Sequence, residues 1–336
     1  MTRTFIIAEA GVNHGGSIDT AITLVERAKE CGADAVKFQS FRADKLVSKW
    51  AEKAEYQKHT TKTSESQYRM LKNLELSGED HGVLVRFCRQ KDIVFLSSPF
   101  DEESADLLHD LDMPIFKIPS GEITNLPFLR HIAGKNRPII LSTGMSTLGE
   151  IEEALGVIRE TGNQDVSLLH CVSEYPAPYR EMNLRALNTL IVCFQLPVGF
   201  SDHTEGIEIS IAAVALGATI LEKHFTLSRE MEGPDHKASL EPDEFRKMVE
   251  AIRNVELSMG DGIKRPAACE MGNIRIARKS VVAKSPIRPG EKFSERNITL
   301  KRPGYGIQPK DVSKILGMEA KVPFDIDDVI TWDKVK

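Results

Sequence analysis

Cysteine is scarce in this sequence, and its pattern argues against a disulfide framework. The 336-residue chain contains five cysteines, an odd number, and none of them forms a CxxC pair. They are Cys31, Cys88, Cys171, Cys193 and Cys269. Because secreted domains depend on regular sets of paired cysteines, we predict reduced thiols and a cytoplasmic protein.

The chain also lacks a long apolar run and a strong charge of either sign. Its longest apolar stretch, "ISIAAVALGATIL", falls well below the roughly 18 residues that a membrane span needs. The apolar start of the chain is interrupted at Glu9 and is too short for a signal peptide. Lys and Arg total 44 against 49 Asp and Glu, a net charge of -5. We therefore expect neither a membrane nor a nucleic acid as the main partner.

Short apolar segments alternate with amphipathic ones along about the first 260 residues. Eight apolar segments have the length of buried strands. They are 5–10, 35–39, 93–98, 115–118, 138–142, 166–171, 197–201 and 219–225. Between them, stretches such as 19–32 and 148–162 place apolar residues at helical spacing and end in glycine. This alternation predicts an α/β fold, a (β/α)8 TIM barrel. A doubly wound sheet is the alternative, but "AEAGVNHGGS" does not supply its GxGxxG turn.

Two stretches depart from this alternation. Between Ser40 and Ser77 lies a polar, Lys-rich insertion with one periodic segment, "QYRMLKNLEL". It is predicted to be either a lid or binding loop, or a solvated excursion. After residue 260 the barrel pattern stops, residues 261–277 resemble a linker, and 278–336 contain short β-prone pieces. We expect a barrel at 1–260, that linker, and a small β-rich domain that leans on a partner surface.

Every predicted strand carries a polar side chain at its C-terminal end, where barrel enzymes place their chemistry. Turn chemistry alone would not arrange polar residues so regularly. They include Glu9, Lys37, Gln39, Ser98, Lys117, Ser120, Glu122, Ser142, Ser173, Ser201, His203, Glu222 and His224. The sequence therefore predicts one site at this end of the barrel.

Two lysines inside apolar strands need anions, because a charge is almost never buried without a partner. Lys37 lies in "AVKFQ" and Lys117 in "IFKIPSGE". One interpretation is a salt bridge to Glu9 or Glu222. The other is an anionic substrate that both lysines and the strand-end serines bind. No P-loop sequence is present, so a nucleotide held by a Walker motif is not expected.

Two histidines come from consecutive predicted strands, His203 and His224, 21 residues apart. One strand–helix unit has about that length, so both imidazoles are expected at the same mouth. Such a pair suits Mn2+, Co2+ or Zn2+, with water in the other positions. The alternative is that each histidine is a hydrogen-bonded core residue or a general base.

Motifs along the whole chain resemble those of one enzyme family. They are "IIAEAGVNHGGS", "ADAVKFQSF", "FLSSPFD", "FKIPSGEITN", "IILSTGM", "LLHCVSEYPAP", "GFSDHTEG", "AVALGATILEKHFTL", "GPDHKASLEP", "RKSVVAK" and "KRPGYGI". In these motifs the chain resembles the bacterial sialic acid synthases of the N-acetylneuraminate and N,N'-diacetyllegionaminate type. The resemblance implies a TIM barrel followed by an antifreeze-like (SAF) domain. It also implies a homodimer in which that domain is swapped over the partner's active site.

The resemblance further implies a reaction and a role for each matching position. Phosphoenolpyruvate would condense with an open-chain sugar, N-acetylmannosamine or 2,4-diacetamido-2,4,6-trideoxymannose, and release phosphate. His203 and His224 match the metal pair; Mn2+ is expected first, Mg2+ or Co2+ otherwise, and no nucleotide or organic cofactor is expected. The positions for phosphoenolpyruvate are Lys37, Ser98, Lys117, Ser120, Ser142, Ser173 and Ser201. Some relatives carry Thr at position 98 and Asn at position 173. The positions on the sugar side are Gln39, Glu122, Tyr175, Asp235 and, from the partner subunit, Arg302.

The resemblance implies four catalytic residues, Glu9, Glu222, Lys37 and Lys117, of which Glu9 and Glu222 match acidic residues near the metal. The ion would polarise the sugar aldehyde for attack by the enol carbon of phosphoenolpyruvate. A water activated by Glu9 or Glu222 would then add, and the tetrahedral intermediate would expel phosphate. The sequence leaves open which carboxylate is the base, and it does not decide between the two acceptors.

Two other functions are compatible with parts of the sequence. A related synthase that acts on a phosphorylated sugar would need a second basic cluster, and no strand end is rich in Arg. The other is a sugar-sensing or ice-binding protein whose barrel has lost its chemistry. Ice binding needs a flat surface poor in charge, whereas "RKSVVAKSPIRPGEKFSERNITLKR" is crowded with Lys and Arg.

Overall fold

The chain folds into two compact units, which divide after Gly260. A computed structural model describes residues 3–53, 57, 61 and 66–336. Its units are Met1–Gly260 and Asp261–Lys336. Of the insertion predicted between Ser40 and Ser77, residues 54–56, 58–60 and 62–65 lie outside the described residues.

The first unit is built around eight parallel strands. They are β1 (Phe5–Gly11), β2 (Ala35–Ser40), β3 (Val94–Pro99), β4 (Phe116–Ile118), β5 (Ile139–Ser142), β6 (Val166–His170), β7 (Val198–Asp202) and β8 (Ile220–His224). Their order in the sheet is β3-β2-β1-β8-β7-β6-β5-β4. The first strand pairs in parallel with both β2 and β8. This pairing of the first with the last strand confirms the predicted barrel and excludes the doubly wound sheet.

Alternation along each strand decides which side chains enter the barrel. Ile7, Leu96, Ile140 and Leu169 form one apolar cluster with two further strand residues, Ala35 and Ile220, in a small inner core. Glu9 lies two residues after Ile7, on the same face of β1. The inner face of a strand is therefore apolar at its start and polar at its C-terminal end. The opposite faces pack under the helices in a much larger core.

Helices follow the strands as the periodicity predicts. In the first unit they are α1 (Ile18–Glu30), α2 (Ala43–Leu46), α3 (Gln67–Leu74), α4 (Gly78–Gln90), α5 (Glu102–Asp110), α6 (Leu126–Ala133), α7 (Leu148–Glu160), α8 (Ala186–Phe194), α9 (Glu208–Ala215) and α10 (Pro242–Ser258). Capping boxes begin α4 at Ser77 and α7 at Thr147, which satisfies amide groups that the helices leave unpaired. Every helix in the described part of the chain is too short or too polar to cross a bilayer.

The insertion contains more structure than its composition predicts. The periodic segment forms α3 as expected, but the short helix α2 was not predicted. Met70 and Leu74 of α3 pack with Val12 and Phe41 in a small separate core. These contacts fix α3 against the loops that follow β1 and β2, so at least this part of the insertion is not a solvated excursion.

The second unit has its own core and little regular structure. It contains α11 (Met271–Ala277), the antiparallel strands β9 (Ser280–Ala283) and β10 (Ile298–Lys301), and α12 (Val312–Ile315). Further strand-like pairs are isolated bridges, such as Ile287 with Phe324. Its core comprises Val281, Ala283, Ile287, Phe293, Ile298, Ile307, Ile315, Ala320, Phe324, Ile330 and Val335. The segment predicted as a linker therefore includes a helix, and the small domain is held mainly by turns and bridges around apolar side chains.

Candidate active site

A cavity of about 470 Å³ opens at the carboxyl ends of the barrel strands. It gathers all the predicted site residues except Glu122 and Arg302. Those residues are Glu9, Lys37, Gln39, Ser98, Lys117, Ser120, Ser142, Ser173, Tyr175, Ser201, His203, Glu222, His224 and Asp235. Residues from all eight strand ends therefore meet in one place. Below, Glu9, Lys37, Lys117, Glu222 and the serines of this set are called the polar floor.

The two lysines of the polar floor have carboxylate partners. Lys37 Nζ lies 2.7 Å from Glu9 Oε2, 3.7 Å from Glu222 Oε2 and 3.1 Å from Ser98 Oγ. Lys117 Nζ lies 3.3 Å from Glu222 Oε1. All four charged side chains are at most 5% exposed. The salt bridges considered from the sequence are therefore present, and they hold both ammonium groups at the wall of the cavity.

The two carboxyl groups differ in their affinity for a proton. Burial raises the pKa of Glu9 to about 7, with a further rise from Glu222 that Lys37 opposes. Burial would also raise the pKa of Glu222, but Lys117, Lys37 and the Ser201 hydroxyl outweigh it and lower that pKa to about 2. Ser201 Oγ donates to Glu222 Oε1 at 2.8 Å. Glu222 is thus the permanent counterion, and Glu9 is the carboxyl group that exchanges a proton near neutral pH.

The two histidines lie together at the floor, with ring centroids 5.5 Å apart. His203 Nδ1 is 2.6 Å from the Val172 carbonyl oxygen, which can only accept, so Nδ1 carries the proton and Nε2 keeps its lone pair. Burial lowers the pKa of His203 to about 4 and that of His224 well below its usual range. His224 Nδ1 is buried without a hydrogen-bond partner.

These imidazoles fit a divalent cation as two of its ligands. Both are held neutral, and a second hydrogen bond fixes the tautomer of His203, as metal-binding histidines require. The part of the chain that the structure describes contains no cluster of three or more His, Cys, Asp or Glu side chains suited to a metal. The remaining ligands of an ion held here would have to be water or substrate oxygens.

Hydroxyl groups surround Gly144, directly after β5. Ser120 Oγ accepts from the Gly144 amide at 3.0 Å and lies 3.2 Å from Cys171 Sγ. A Cβ at position 144 would lie 2.4 Å from Ser173 Oγ and 2.8 Å from Ser120 Oγ, closer than real Cβ atoms approach. Only glycine therefore lets the serines converge. Sequence reasoning missed Gly144 and Cys171. The motif "STGM" could have indicated Gly144. Cys171 could have been found because it lies two residues before Ser173, at the spacing of side chains that point to the same face of a strand.

Three of the predicted sugar-side residues, Gln39, Tyr175 and Asp235, line the same cavity. Gln39 Nε2 donates to Glu9 Oε1 at 3.3 Å, and burial raises the pKa of Asp235 to about 6. Gly11, at a positive φ of +52° in a β-bulge, lies between them. A Cβ there would be 3.2 Å from Glu9 Oε1 and 3.6 Å from Asp235 Oδ2. The ring centroid of Tyr175 is 4.3 Å from that of His203.

Two predicted residues do not line this cavity. Glu122 ends the turn Ser120–Glu122, is half-buried, and accepts a 2.7 Å hydrogen bond from Asn125 Nδ2. Arg302 belongs to the second unit, at the end of β10, and is exposed there. Their roles in sugar binding therefore stay predictions.

An apolar side of the cavity was not predicted. Its members, called the apolar wall below, are Val12, Leu46, Val47, Met70, Leu71, Leu74 and Phe100. Most of them come from α2 and α3 in the insertion. The signal was in the sequence, because Met70, Leu71 and Leu74 recur at the spacing of one helical face.

Comparison with known proteins agrees with this arrangement. The NeuB family model matches residues 24–264, and the SAF domain model matches residues 278–336. The chain is 54% identical to an N,N'-diacetyllegionaminic acid synthase of Campylobacter jejuni, over 98% of this chain and 99% of that protein. It is 46% identical to a protein of the same name from Legionella pneumophila, over 99% of this chain and 94% of that one.

Among solved structures, the fold is similar to that of an N-acetylneuraminic acid synthetase from Leptospira borgpetersenii. The TM-score is 0.73 at 34% identity, covering 81% of this chain and 90% of that one. The family resemblance expected from the motifs is thereby confirmed. The chain belongs to the NeuB family and carries a SAF domain at its C-terminal end.

Proposed function

We propose that this protein condenses phosphoenolpyruvate with an open-chain acetamido-mannose-type sugar to give a nonulosonic acid and phosphate. The observation that carries the proposal is the polar floor, where two buried lysines and converging serines lie beside two neutral imidazoles. Of the two acceptors, 2,4-diacetamido-2,4,6-trideoxymannose is favoured, with N,N'-diacetyllegionaminate as product. Both legionaminic acid synthases compared above support this choice.

Phosphoenolpyruvate binds, on this proposal, to Lys37, Lys117 and the serines. When Glu9 is protonated, the buried charges are two lysines against one ionised carboxylate, Glu222. The floor then has a net positive charge that a small anion neutralises. Serine hydroxyls around Gly144 donate to oxygens that an ammonium group alone would leave unpaired.

A divalent cation completes the site in this proposal, with Mn2+ first and Mg2+ or Co2+ as alternatives. His203 and His224 would hold it. Such an ion supplies Lewis acidity toward the aldehyde oxygen of the sugar.

The chain's own residues then order the reaction. Lys37 and Lys117 fix phosphoenolpyruvate so that its methylene carbon forms the new C–C bond with the sugar aldehyde carbon. The aldehyde π bond breaks in this step, and its oxygen becomes a hydroxyl by taking the proton that Glu9 holds once phosphoenolpyruvate is bound. Glu9 takes a proton from the water that adds to the former enol carbon, because Glu222 is held ionised by both lysines and is a weak base. Collapse of this adduct breaks the bond to the phosphate oxygen, forms the ketone and releases phosphate.

A homodimer with exchanged SAF domains is part of the proposal. Leu257, Ile263, Met271 and Ile276 are between 57% and 86% exposed in the single chain, an unusual run of apolar side chains for a surface. A partner subunit would cover them, and its Arg302 would then reach the sugar. We also propose a cytoplasmic location, which the five free cysteines support.

Exchange of domains can be tested by mixing two defective chains. His203→Ala removes a group of the barrel, and Arg302→Ala removes a group of the SAF domain. If domains are exchanged, mixed dimers contain one intact site and regain activity that neither parent has. Mixtures that stay as inactive as their parents would contradict the exchange.

A synthase for phosphorylated sugars receives less support. In the described part of the chain, Lys37 and Lys117 are the only cationic side chains that line the cavity, apart from the histidines, and phosphoenolpyruvate needs both. A second phosphate would find no partner there. A sugar-sensing or ice-binding function does not explain why two lysines and two carboxyl groups are buried together in the polar floor.

The experiment that tests the proposed function measures phosphate release from phosphoenolpyruvate by the full chain, with each acceptor and a series of divalent ions. We expect turnover that needs both sugar and metal. His203→Ala and His224→Ala should abolish it and weaken Mn2+ binding in calorimetry, while Tm shows that the barrel still folds. His131→Ala, a histidine of α6 paired with Asp106 outside the cavity, is the matched control. Full activity of either active-site variant would refute the metal assignment.

A further inference from the structure

The cavity has two chemically different sides, and only one of them serves phosphoenolpyruvate. The polar floor is formed by strand ends. Facing the same space is the apolar wall, whose α2 and α3 members belong to the insertion after β2. The proposed reaction on the polar floor does not account for it.

The residues of the apolar wall are held in place by packing against a small hydrophobic core. Met70 is 4% exposed and Leu74 is 8% exposed, and both pack on Val12 and Phe41 in a separate core. Leu46 and Leu71 are partly buried and pack against that core. Val47 directly follows α2 and is also half-buried. The wall is therefore anchored to the loops after β1 and β2, and β2 carries Gln39, one of the residues predicted to bind the sugar.

We propose that the apolar wall selects acceptors whose C6 is a methyl group and whose C4 carries an acetamide. This inference rests on the proposed function. In the described part of the insertion, Gln57 and Gln67 are the polar side chains that line the cavity. An acetamide matches this combination, since its methyl packs on leucine and its amide pairs with glutamine. A C6 methyl group needs only apolar contact.

N-acetylmannosamine places hydroxyl groups at both of these positions. A hydroxyl against Leu46, Val47 and Leu71 loses water without gaining a hydrogen bond. Apolar pockets discriminate between such close analogues by about 10- to 200-fold in kcat/KM. We therefore expect wild-type protein to prefer the 6-deoxy, 4-acetamido acceptor by at least about tenfold.

The test compares kcat/KM for the two acceptors in the wild type and in three variants. Leu71→Asn places an amide on the wall, and Val47→Thr adds one hydroxyl with almost no change of shape. Leu76→Asn is the matched control, a half-buried leucine of the same insertion that packs on the barrel core instead. Phosphate release is measured at saturating phosphoenolpyruvate, and its KM is determined separately.

In Leu71→Asn, the ratio of kcat/KM for the deoxy acceptor to that for N-acetylmannosamine should fall by about tenfold. In Val47→Thr this ratio should fall severalfold. In Leu76→Asn the ratio should stay within twofold of the wild-type value, and so should the KM for phosphoenolpyruvate in all three variants. Because the ratio is taken within one sample, partial unfolding of a variant cancels. Unchanged ratios in both wall variants would overturn this inference alone. A wild-type preference for N-acetylmannosamine would overturn it together with the proposed choice of acceptor, while the condensation reaction itself would stand. No phosphate release by wild type with either sugar would overturn the proposed function together with it.

Discussion

Asp235 makes the stability of the barrel depend on pH in a direction that the structure defines. Its side chain is 6% exposed, and burial raises its pKa from 3.8 to about 6. Below pH 3.8 the carboxyl group is neutral in the folded and unfolded states alike. Above about pH 6 it is ionised in both, and the folded state alone has lost the hydration of the charge. A shift of this size costs about 3 kcal/mol of stability above pH 6, and the cost fades between pH 6 and pH 4.

Asp235→Asn removes the charge and keeps the shape, so the variant should be more stable than wild type by about 3 kcal/mol at pH 8. For a unit of this size that corresponds to a rise in Tm of about 5 °C. The difference should disappear near pH 4. Calorimetric scans of both proteins at pH 4, 6 and 8 measure it, with the exposed Asp165→Asn as control. A pH-independent difference, or a less stable variant at pH 8, would refute the argument that the cost comes from burying a charge.

Two further predictions concern catalysis. Glu9→Gln should lower kcat by about 10²- to 10⁴-fold and remove the rise of kcat/KM with pH through about pH 7, where Glu9 loses its proton. If that limb of the pH profile persists in Glu9→Gln, another group is the base. Gly144→Ala should raise the KM for phosphoenolpyruvate at least about tenfold, because its Cβ pushes apart the hydroxyls of Ser120 and Ser173. An equal rise in the KM for the sugar would show a general distortion instead.

The barrel could be predicted because its strands have apolar residues on both faces, so length and rhythm alone indicate them. Both bounds of each predicted strand lie within one residue of the observed ones. The same alternation predicted which strand-end residues share the cavity, since inward parity is fixed by the pleat. Lys223 shows the limit of this reasoning. It lies between Glu222 and His224 but points the other way, where it pairs with Asp202 at 3.1 Å.

What the sequence could not predict depends on long-range packing. The cavity-lining role of Leu46, Val47 and Leu71 arises because α3 is anchored on Val12 and Phe41, residues that follow two different strands. The polar, Lys-rich composition of the insertion gave no indication of this apolar contact. The difference between the pKa values of Glu9 and Glu222 could not be predicted either, because it depends on distances to Lys37 and Lys117 across the barrel.

The salt bridges and the anion site, which the sequence presented as alternatives, are two states of one network. Without substrate, ionised Glu9 and Glu222 neutralise Lys37 and Lys117, so each of these four charges has a partner of opposite sign. An incoming anion competes for the lysines with Glu9, whose pKa is raised to about 7, and not with Glu222, whose pKa is lowered to about 2. Binding should therefore take up about half a proton at pH 7, where half of the Glu9 carboxyl groups already carry one, and a larger fraction at pH 8. The proton goes to the carboxyl group that must release it before water can add. Calorimetry in buffers of different ionisation enthalpy measures this proton, and its absence would mean that Glu9 stays ionised beside the substrate.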